Sequence, residues 1–182
     1  MKTILCSFML VLSGYLFGQA GFVKGYVISL KGDTEFVEVK VNPKKTLEQY
    51  QKLTYKTANG LQKMVKPEKI KGYGFDNNHF IVDKYEGEDL FYKVLSSGAL
   101  NLYQLQYEYM KMNEAAVQED FFYKKAGSTH YEQLKPKKYK KQLKEVMAAN
   151  ADLAKKAEIV EEFNAAKLIE LFEEYNTWDK NK

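Results

Sequence analysis

Residues 100–110 read LNLYQLQYEYM, and this stretch decides which kind of fold to expect. Every second side chain from Tyr103 to Tyr109 is apolar or aromatic, so an extended backbone places this set on one face. Such alternation predicts a strand in a β-sheet. Tyr103, Tyr107 and Tyr109 are therefore our candidates for an exposed aromatic binding face.

Similar strand patterns recur through the first two-thirds of the chain. Val37, Val39 and Val41 alternate with charged residues, which predicts a strand with one buried and one solvated face. Further strands are predicted at 22–30, 70–75, 80–85 and 91–95. A strand or strand pair is predicted at 121–133, with a turn at 126–128.

The strongest hairpin signal is Asn59-Gly60, which lies between the strand-like stretches 51–58 and 61–65. Asn-Gly tolerates positive φ at both central positions of a type I′ turn, so we expect a tight hairpin there. Glycines are frequent before residue 100, and only Gly127 follows it. Strands and turns should therefore fill the first part of the chain.

The end of the chain has helical periodicity instead. Pro136 can open a helix, because its missing N–H needs no partner in the first turn. A first apolar stripe comprises Tyr139, Leu143, Val146 and Met147. We expect a break at Asn150 and an N-cap at Asp152. A second stripe comprises Ile159, Phe163, Ala166, Ile169, Phe172 and Tyr175.

These patterns predict an α+β fold. An antiparallel β-rich region, as a meander or partial barrel, should be followed by an antiparallel helical tail. Residues 1–20 read as a secretory signal, with Lys2, an apolar run and small residues before a cleavage site after Ala20. The expected organisation is a signal peptide at 1–20, a β-rich region at 21–134 and a helical region at 135–178. The last two form a single mature domain without a transmembrane segment.

Charge is distributed unevenly in the last third. Residues 124–144 carry eight lysines and one acid, whereas residues 158–174 carry six glutamates and one lysine. One interpretation is two surfaces for two partners. The favoured one is that the helices lie antiparallel and balance each other's charge.

The chain is poor in reactive groups. Its single cysteine, Cys6, leaves with the predicted signal, and His79 and His130 are its only imidazoles. No metal site, cofactor or catalytic residue is expected, and an enzyme is the less favoured hypothesis. If the protein were a hydrolase, His79, Glu86, Glu88 and Asp89 would be the residues to test. All 28 basic residues are lysines, and export with no arginine excludes nucleic acid as the expected partner.

Three segments resemble recurring motifs of short, uncharacterised exported proteins of Bacteroidota-type bacteria. They are KGYVISLKGDT at 24–34, PEKIKGYGF at 67–75 and SGALNLY at 97–103. The resemblance implies a signal peptide, an opening hairpin, a β-rich front and a helical tail. It implies a periplasmic, outer-membrane-associated or extracellular location, and no known activity or site residues.

The favoured function is that of an exported, non-enzymatic binding or scaffold protein of the cell envelope, with an envelope or outer-membrane protein as partner. Two alternatives stay open at this point. The first is a carrier of a small apolar ligand in a β-barrel-like cavity. The second is an envelope hydrolase.

Overall fold

The computed structural model describes residues 21–112 and 114–182. The predicted signal segment, residues 1–20, and Cys6 within it lie outside the described residues. The strands are β1 (Gly21–Ser29), β2 (Thr34–Val41), β3 (Leu53–Lys56), β4 (Gln62–Val65), β5 (Ile70–Phe75), β6 (Asn78–Tyr85), β7 (Glu88–Ser96), β8 (Leu100–Lys111), β9 (Glu114–Lys125) and β10 (Glu132–Leu134). The α-helices are α1 (Glu48–Gln51), α2 (Tyr139–Val146), α3 (Ala151–Ile159) and α4 (Ala165–Lys180).

All ten strands belong to one antiparallel sheet with the order β10-β9-β8-β7-β6-β5-β1-β2-β3-β4. Strands β1–β4 form one meander and β5–β10 form another, and pairing of β1 with β5 joins the two. The sheet is open, with β10 and β4 at its edges. The α+β prediction is confirmed, with the helical tail after the sheet, and the sheet does not close into a barrel.

Alternation of side chains positions the strands as expected. In β2, Val37 and Val39 are buried while Glu38 and Lys40 are exposed. The β8 alternation at residues 100–105 is denser, because both faces of that strand are buried there. The central strands thus contribute buried apolar side chains to both faces of the sheet, such as Leu102 on one face and Tyr103 and Leu105 on the other.

The hairpin at Asn59-Gly60 is confirmed, but the type I′ turn is wrong. Only Gly60 has positive φ, at 80°, and the loop is longer than two residues. Gly60 N–H donates to Thr57 O at 2.8 Å, and Thr57 N–H donates to Leu61 O at 3.0 Å. A turn followed by a left-handed glycine needs no positive φ at the asparagine, so the sequence signal does not select the turn type.

A two-residue hairpin in which both loop residues have positive φ, as a type I′ turn requires, occurs instead between β6 and β7. Glu86 and Gly87 are its two loop residues, and both have positive φ, at 52° and 92°. The sequence at Glu86-Gly87-Glu88-Asp89, between the predicted strands 80–85 and 91–95, favours a solvated hairpin tip, and that interpretation is confirmed. Glutamate is uncommon at positive φ, so the sequence does not indicate the turn type.

The pair β8–β9 is longer than the sequence predicts. Each strand has 12 residues, and the register runs without a break from Leu100 opposite Lys125 to Lys111 opposite Glu114. The prediction of strand structure at 121–133 with a turn at 126–128 finds the end of β9, the turn at Gly127 and β10, and it misses residues 114–120. That segment, EAAVQED, has low strand propensity, and pairing with β8 overrides it.

The first helical stripe is confirmed, because Tyr139, Leu143, Val146 and Met147 are all buried. The prediction of Asp152 as the N-cap of the next helix is wrong. Asn150 does not only end a helix, since its side chain is the N-cap of α3 and accepts from the backbone N–H groups of Asp152 and Leu153. Asp152 lies in the first turn, where a carboxylate faces the positive end of the helix dipole.

The second stripe spans two helices. The chain leaves helical conformation after Ile159, which is exposed, and Asn164 caps α4 through Lys167 N–H. Between the helices, the Phe163 ring packs against Tyr139 and Phe121 at centroid distances of 4.8 and 5.4 Å. Of the predicted stripe only Phe172 is buried, and Ile159 and Ala166 are exposed. The buried apolar residues of α4 are Leu168, Leu171 and Phe172, so the spacing indicated neither the buried face nor the break.

Helices α2, α3 and α4 cover one face of the sheet at the β8–β10 end. Leu100 and Leu102 of β8 and Phe121 of β9 belong to the same buried cluster as the helical residues Leu168 and Phe172. The short helix α1 lies on the same face, because its Tyr50 hydroxyl donates to Gln104. Gln104 lies two residues after Leu102 on β8 and so shares its face. We call this the helical face and the other one the open face. No helix in the described part of the chain is long and apolar enough to cross a membrane.

One buried asparagine connects α4 to the sheet. Asn176 Oδ1 accepts from Leu100 N–H at 2.9 Å, and its Nδ2 donates to Leu100 O at 2.9 Å and to Ser96 Oγ at 3.1 Å. The contact lies where the β7–β8 register shifts between Val94 and Ser96. A Cβ on Gly98 would lie 2.4 Å from Asn176 Cγ, so this position requires glycine.

We expect Asn176→Ala to lower the free energy of unfolding by about 2–4 kcal/mol, because it leaves both backbone groups of Leu100 buried without their partner. Urea denaturation measures the effect. Thr177→Ala, at the exposed neighbouring position, is the control and should change stability by less than about 0.5 kcal/mol. Equal stability of the two variants would contradict the role given to Asn176.

Candidate functional site

The three candidate tyrosines of β8 lie on the open face, in a gradient of exposure. Tyr103 is 6% exposed, Tyr107 is half-buried and Tyr109 is 37% exposed. They share a face as the alternation predicts. The Tyr103 ring does not contribute exposed surface, because Tyr131 from the β9–β10 connection packs on it at a centroid distance of 5.1 Å.

Around Tyr103 and Tyr107 the open face carries further aromatic rings from neighbouring strands. Tyr85 packs against Tyr107 at 5.4 Å and against Phe122 at 5.8 Å, and Tyr92 packs against Phe122 at 5.4 Å. The two pairs that involve Phe122 meet edge to face, an arrangement that aromatic rings prefer. We define the tyrosine cluster as Tyr85, Tyr92, Tyr103, Tyr107, Phe122 and Tyr131.

A nearly buried carboxylate organises the polar side of the tyrosine cluster. Asp120 is 5% exposed, and its Oδ2 accepts from the Tyr107 hydroxyl at 2.9 Å and from the Tyr85 hydroxyl at 3.5 Å. Its Oδ1 accepts from Gln118 Nε2 at 2.9 Å. These donors compensate the burial of the charge and fix the directions of two phenol groups.

A lysine lies at the opposite end of the tyrosine cluster. Lys124 Nζ donates to the Tyr131 hydroxyl at 3.0 Å and lies 4.2 Å from the centre of the same ring. It is also 5.9 Å from the Tyr103 ring centre. The open face therefore carries a carboxylate and an ammonium group at two ends of one aromatic surface.

The environment keeps the phenols protonated. Burial raises the pKa of Tyr107, and its hydrogen bonds to Tyr85 and Asp120 and the charge of Asp120 raise it further. Burial, followed by the neighbouring Tyr103 and Asp83, raises the pKa of Tyr131. A phenol held neutral at physiological pH donates hydrogen bonds and does not serve as a base or nucleophile. Within the tyrosine cluster, Tyr92, Tyr103 and Phe122 are buried, and the half-buried Tyr85, Tyr107 and Tyr131 offer the accessible aromatic surface.

The residues considered for hydrolysis do not converge. Glu86 and Glu88 are exposed at the tip of the β6–β7 hairpin, and Asp89 forms a salt bridge with Lys84 at 3.0 Å. His79 lies at the other end of β6, about 20 Å along the strand from this tip. Its Nδ1 contacts the Tyr26 hydroxyl at 2.6 Å.

The second imidazole is no nearer to catalytic geometry. His130 is exposed in the β9–β10 connection, and its backbone N–H, rather than its ring, bonds to Ser128 Oγ at 3.0 Å. Among residues 21–112 and 114–182, no group of three or more His, Cys, Asp or Glu side chains could hold a metal ion.

Sequence reasoning found part of the tyrosine cluster and missed its centre. The predicted strands at 80–85 and 91–95 contain Tyr85 and Tyr92, but only the register of the strands places both on the face of Tyr103. Asp120 gives no such signal, because it lies in the stretch of β9 that was not predicted as strand.

Comparison of the chain with family models, with curated proteins and with solved structures finds no match in any of the three.

The raised pKa of Tyr107 predicts a pH dependence of stability. The unfolded chain releases its phenol protons near pH 10 and the folded chain releases this one at higher pH, so the stabilisation is complete below about pH 10 and declines as the pH rises above it. We expect Tyr107→Phe to lower the free energy of unfolding by about 1 kcal/mol at neutral pH. In this variant the free energy of unfolding should also decline less steeply with rising alkaline pH than in the wild type.

Urea unfolding at a series of pH values from neutral to alkaline measures both effects. Tyr109→Phe, which changes an exposed phenol of the same strand, is the control and should follow the wild type. An alkaline decline in Tyr107→Phe as steep as that of the wild type would show that burial and the hydrogen bonds to Tyr85 and Asp120 do not raise the pKa of Tyr107.

Proposed function

We propose that this protein is an exported, non-enzymatic binding or scaffold protein of the bacterial cell envelope. In this proposal it engages an envelope or outer-membrane protein through the open face of its sheet. The observation that carries the proposal is the tyrosine cluster, with neutral, hydrogen-bonded phenols on the face that α1–α4 leave uncovered. Export is supported by the signal-like residues 1–20 and by the resemblance to short exported proteins.

Chemistry of the tyrosine cluster favours a protein partner. Tyrosine offers a large contact area with only two side-chain torsions to order, together with a hydroxyl that bonds to backbone or side chains. Packing among the rings pre-organises them, which lowers the entropic cost of association. Lys124 and the Asp120 region would add charge selectivity at the two ends.

The far end of the β8–β9 hairpin extends this surface beyond the sheet. Strand β7 pairs with β8 only up to Gln104, and β10 pairs with β9 only at Phe121–Tyr123. Past those points the hairpin exposes Tyr109 on the open face, Met112 in the turn, and Met110 and Val117 on the opposite face of the hairpin. Exposed apolar side chains next to a half-buried aromatic surface are characteristic of interaction sites.

Both alternatives lack such support. A carrier with a β-barrel-like cavity requires a closed interior, and the sheet is open between β10 and β4. A hydrolase requires converging acid and base groups, and His79 lies far from the acids of the β6–β7 hairpin. A binding surface is what the contacts of the open face support best.

Photo-crosslinking in the host tests this function. A photoreactive phenylalanine at position 109 retains an aromatic ring on the open face. The matched control places the same residue at position 177, where Thr177 is exposed on the outer side of α4. We expect position 109 to give one discrete adduct with an envelope protein, reduced by excess unlabelled wild type, and position 177 not to give it.

Two results would contradict the proposal. The first is no adduct at position 109, or the same adducts from both positions. The second is a tightly bound small apolar molecule found by native mass spectrometry of the protein purified from its host, which would favour the carrier.

A further inference from the structure

The surface at the start of α2 carries a dense group of positive charge. Between residues 135 and 144 there are six lysines and no acid. Five are exposed and Lys140 is half-buried. We define the basic patch by these residues: Lys135, Lys137, Lys138, Lys140, Lys141 and Lys144.

Little of this charge is balanced within the protein. The sequence favoured mutual neutralisation between these lysines and the glutamates of the last helix. The contacts that form are Lys144–Glu158, at 2.6 Å, and Lys141–Glu145, at 3.8 Å. Glu170 and Glu174 of α4 bind Lys156 instead. Among the described residues, the other four lysines of the basic patch have no salt bridge.

The local backbone adds to the positive potential. Lys138 occupies the N-cap position of α2, Lys140 and Lys141 lie in its first turn, and that turn contains no acidic residue. Cations at this end of a helix oppose the helix dipole, so their placement costs stability. An anionic surface against the basic patch would reverse this repulsion.

The composition of the basic patch indicates what kind of anion fits. The apolar stripe of α2, with Leu143 and Val146, is buried in the core, so the outer surface has no aromatic or apolar anchor of the kind that specific protein interfaces use. Tyr139 is buried as well, which removes a stacking platform for single-stranded nucleic acid.

The cationic side chains are equally informative. Lysine is a flexible point charge without the bidentate geometry of arginine, which suits attraction to a diffuse layer of phosphates. Lys140, Lys141 and Lys144 line a shallow, open groove of about 640 Å³ with Glu145, Ala148 and Glu158. A wide, solvent-open surface of this kind fits a charged plane better than a small enclosed ligand.

We propose that the basic patch docks the protein on a lipid surface with anionic phosphate headgroups. Helix α2 packs on the helical face, so this docking leaves the tyrosine cluster on the open face free for a partner. The location of that lipid surface in the envelope rests on the proposed function, whereas the attraction to anionic headgroups does not.

Co-sedimentation of the purified protein with vesicles tests the proposal. The vesicles are of phosphatidylcholine with and without phosphatidylglycerol. We compare the wild type with the triple variant Lys137→Gln, Lys140→Gln and Lys141→Gln. Its matched control changes three exposed lysines near the opposite sheet edge: Lys63→Gln, Lys66→Gln and Lys69→Gln. Both variants remove the same charge, and glutamine keeps the helix propensity of lysine.

We expect binding to the anionic vesicles only, and weaker binding as salt is added. Each lysine near an anionic surface contributes about a fivefold increase in partitioning, so the patch variant should bind about a hundredfold more weakly than the wild type. The control variant should stay close to the wild type. Circular dichroism checks that both variants remain folded.

Equal loss in the two triple variants would overturn the proposal, since net charge would then explain the binding. So would equal binding to both kinds of vesicle, or tighter binding to single-stranded DNA than to anionic vesicles. Because crosslinking at position 109 concerns the opposite face, failure of lipid binding leaves the proposed partner function intact.

Discussion

The carboxamide of Asn176 is the contact on which the arrangement of the two layers depends. It supplies an acceptor and a donor to Leu100 at the β7–β8 irregularity, and so it acts as a substitute for a neighbouring strand. A buried peptide group without such a partner would cost stability, so α4 must dock with this side chain against the sheet. Leu168, Leu171 and Phe172 then bury their side chains over β8 and β9.

Because the helices dock on one face, the side chains on the other face of β6–β9 must bury one another. Large phenol rings do this, because they pack on one another while their hydroxyls bond to each other, to Asp120 or to water. The same property makes the open face suited to recognition. The protein is thus two-sided, with helices that carry the basic patch on one side and, on the other, an aromatic face that carries Asp120 and Lys124 at its two ends.

Patterns set by short-range periodicity were predictable from the sequence. Alternation placed Tyr103, Tyr107 and Tyr109 on one face, and helical spacing found the buried side of α2. Features that depend on long-range pairing were not. The 114–120 part of β9 is a strand only because β8 lies beside it, and Asp120 enters the site with it. Asn176 has no sequence signal, since its partners lie 76 and 80 residues away.

The proton resonances of the Asn176 side-chain amide test the account most directly. If this amide joins α4 to the sheet, it should show nuclear Overhauser contacts to the Leu100 backbone amide and persist after transfer to deuterated water. The exposed amide of Asn181, at the end of α4, should exchange at once. Exchange of Asn176 as fast as that of Asn181, without contacts to Leu100, would contradict the one-sided docking of the helices.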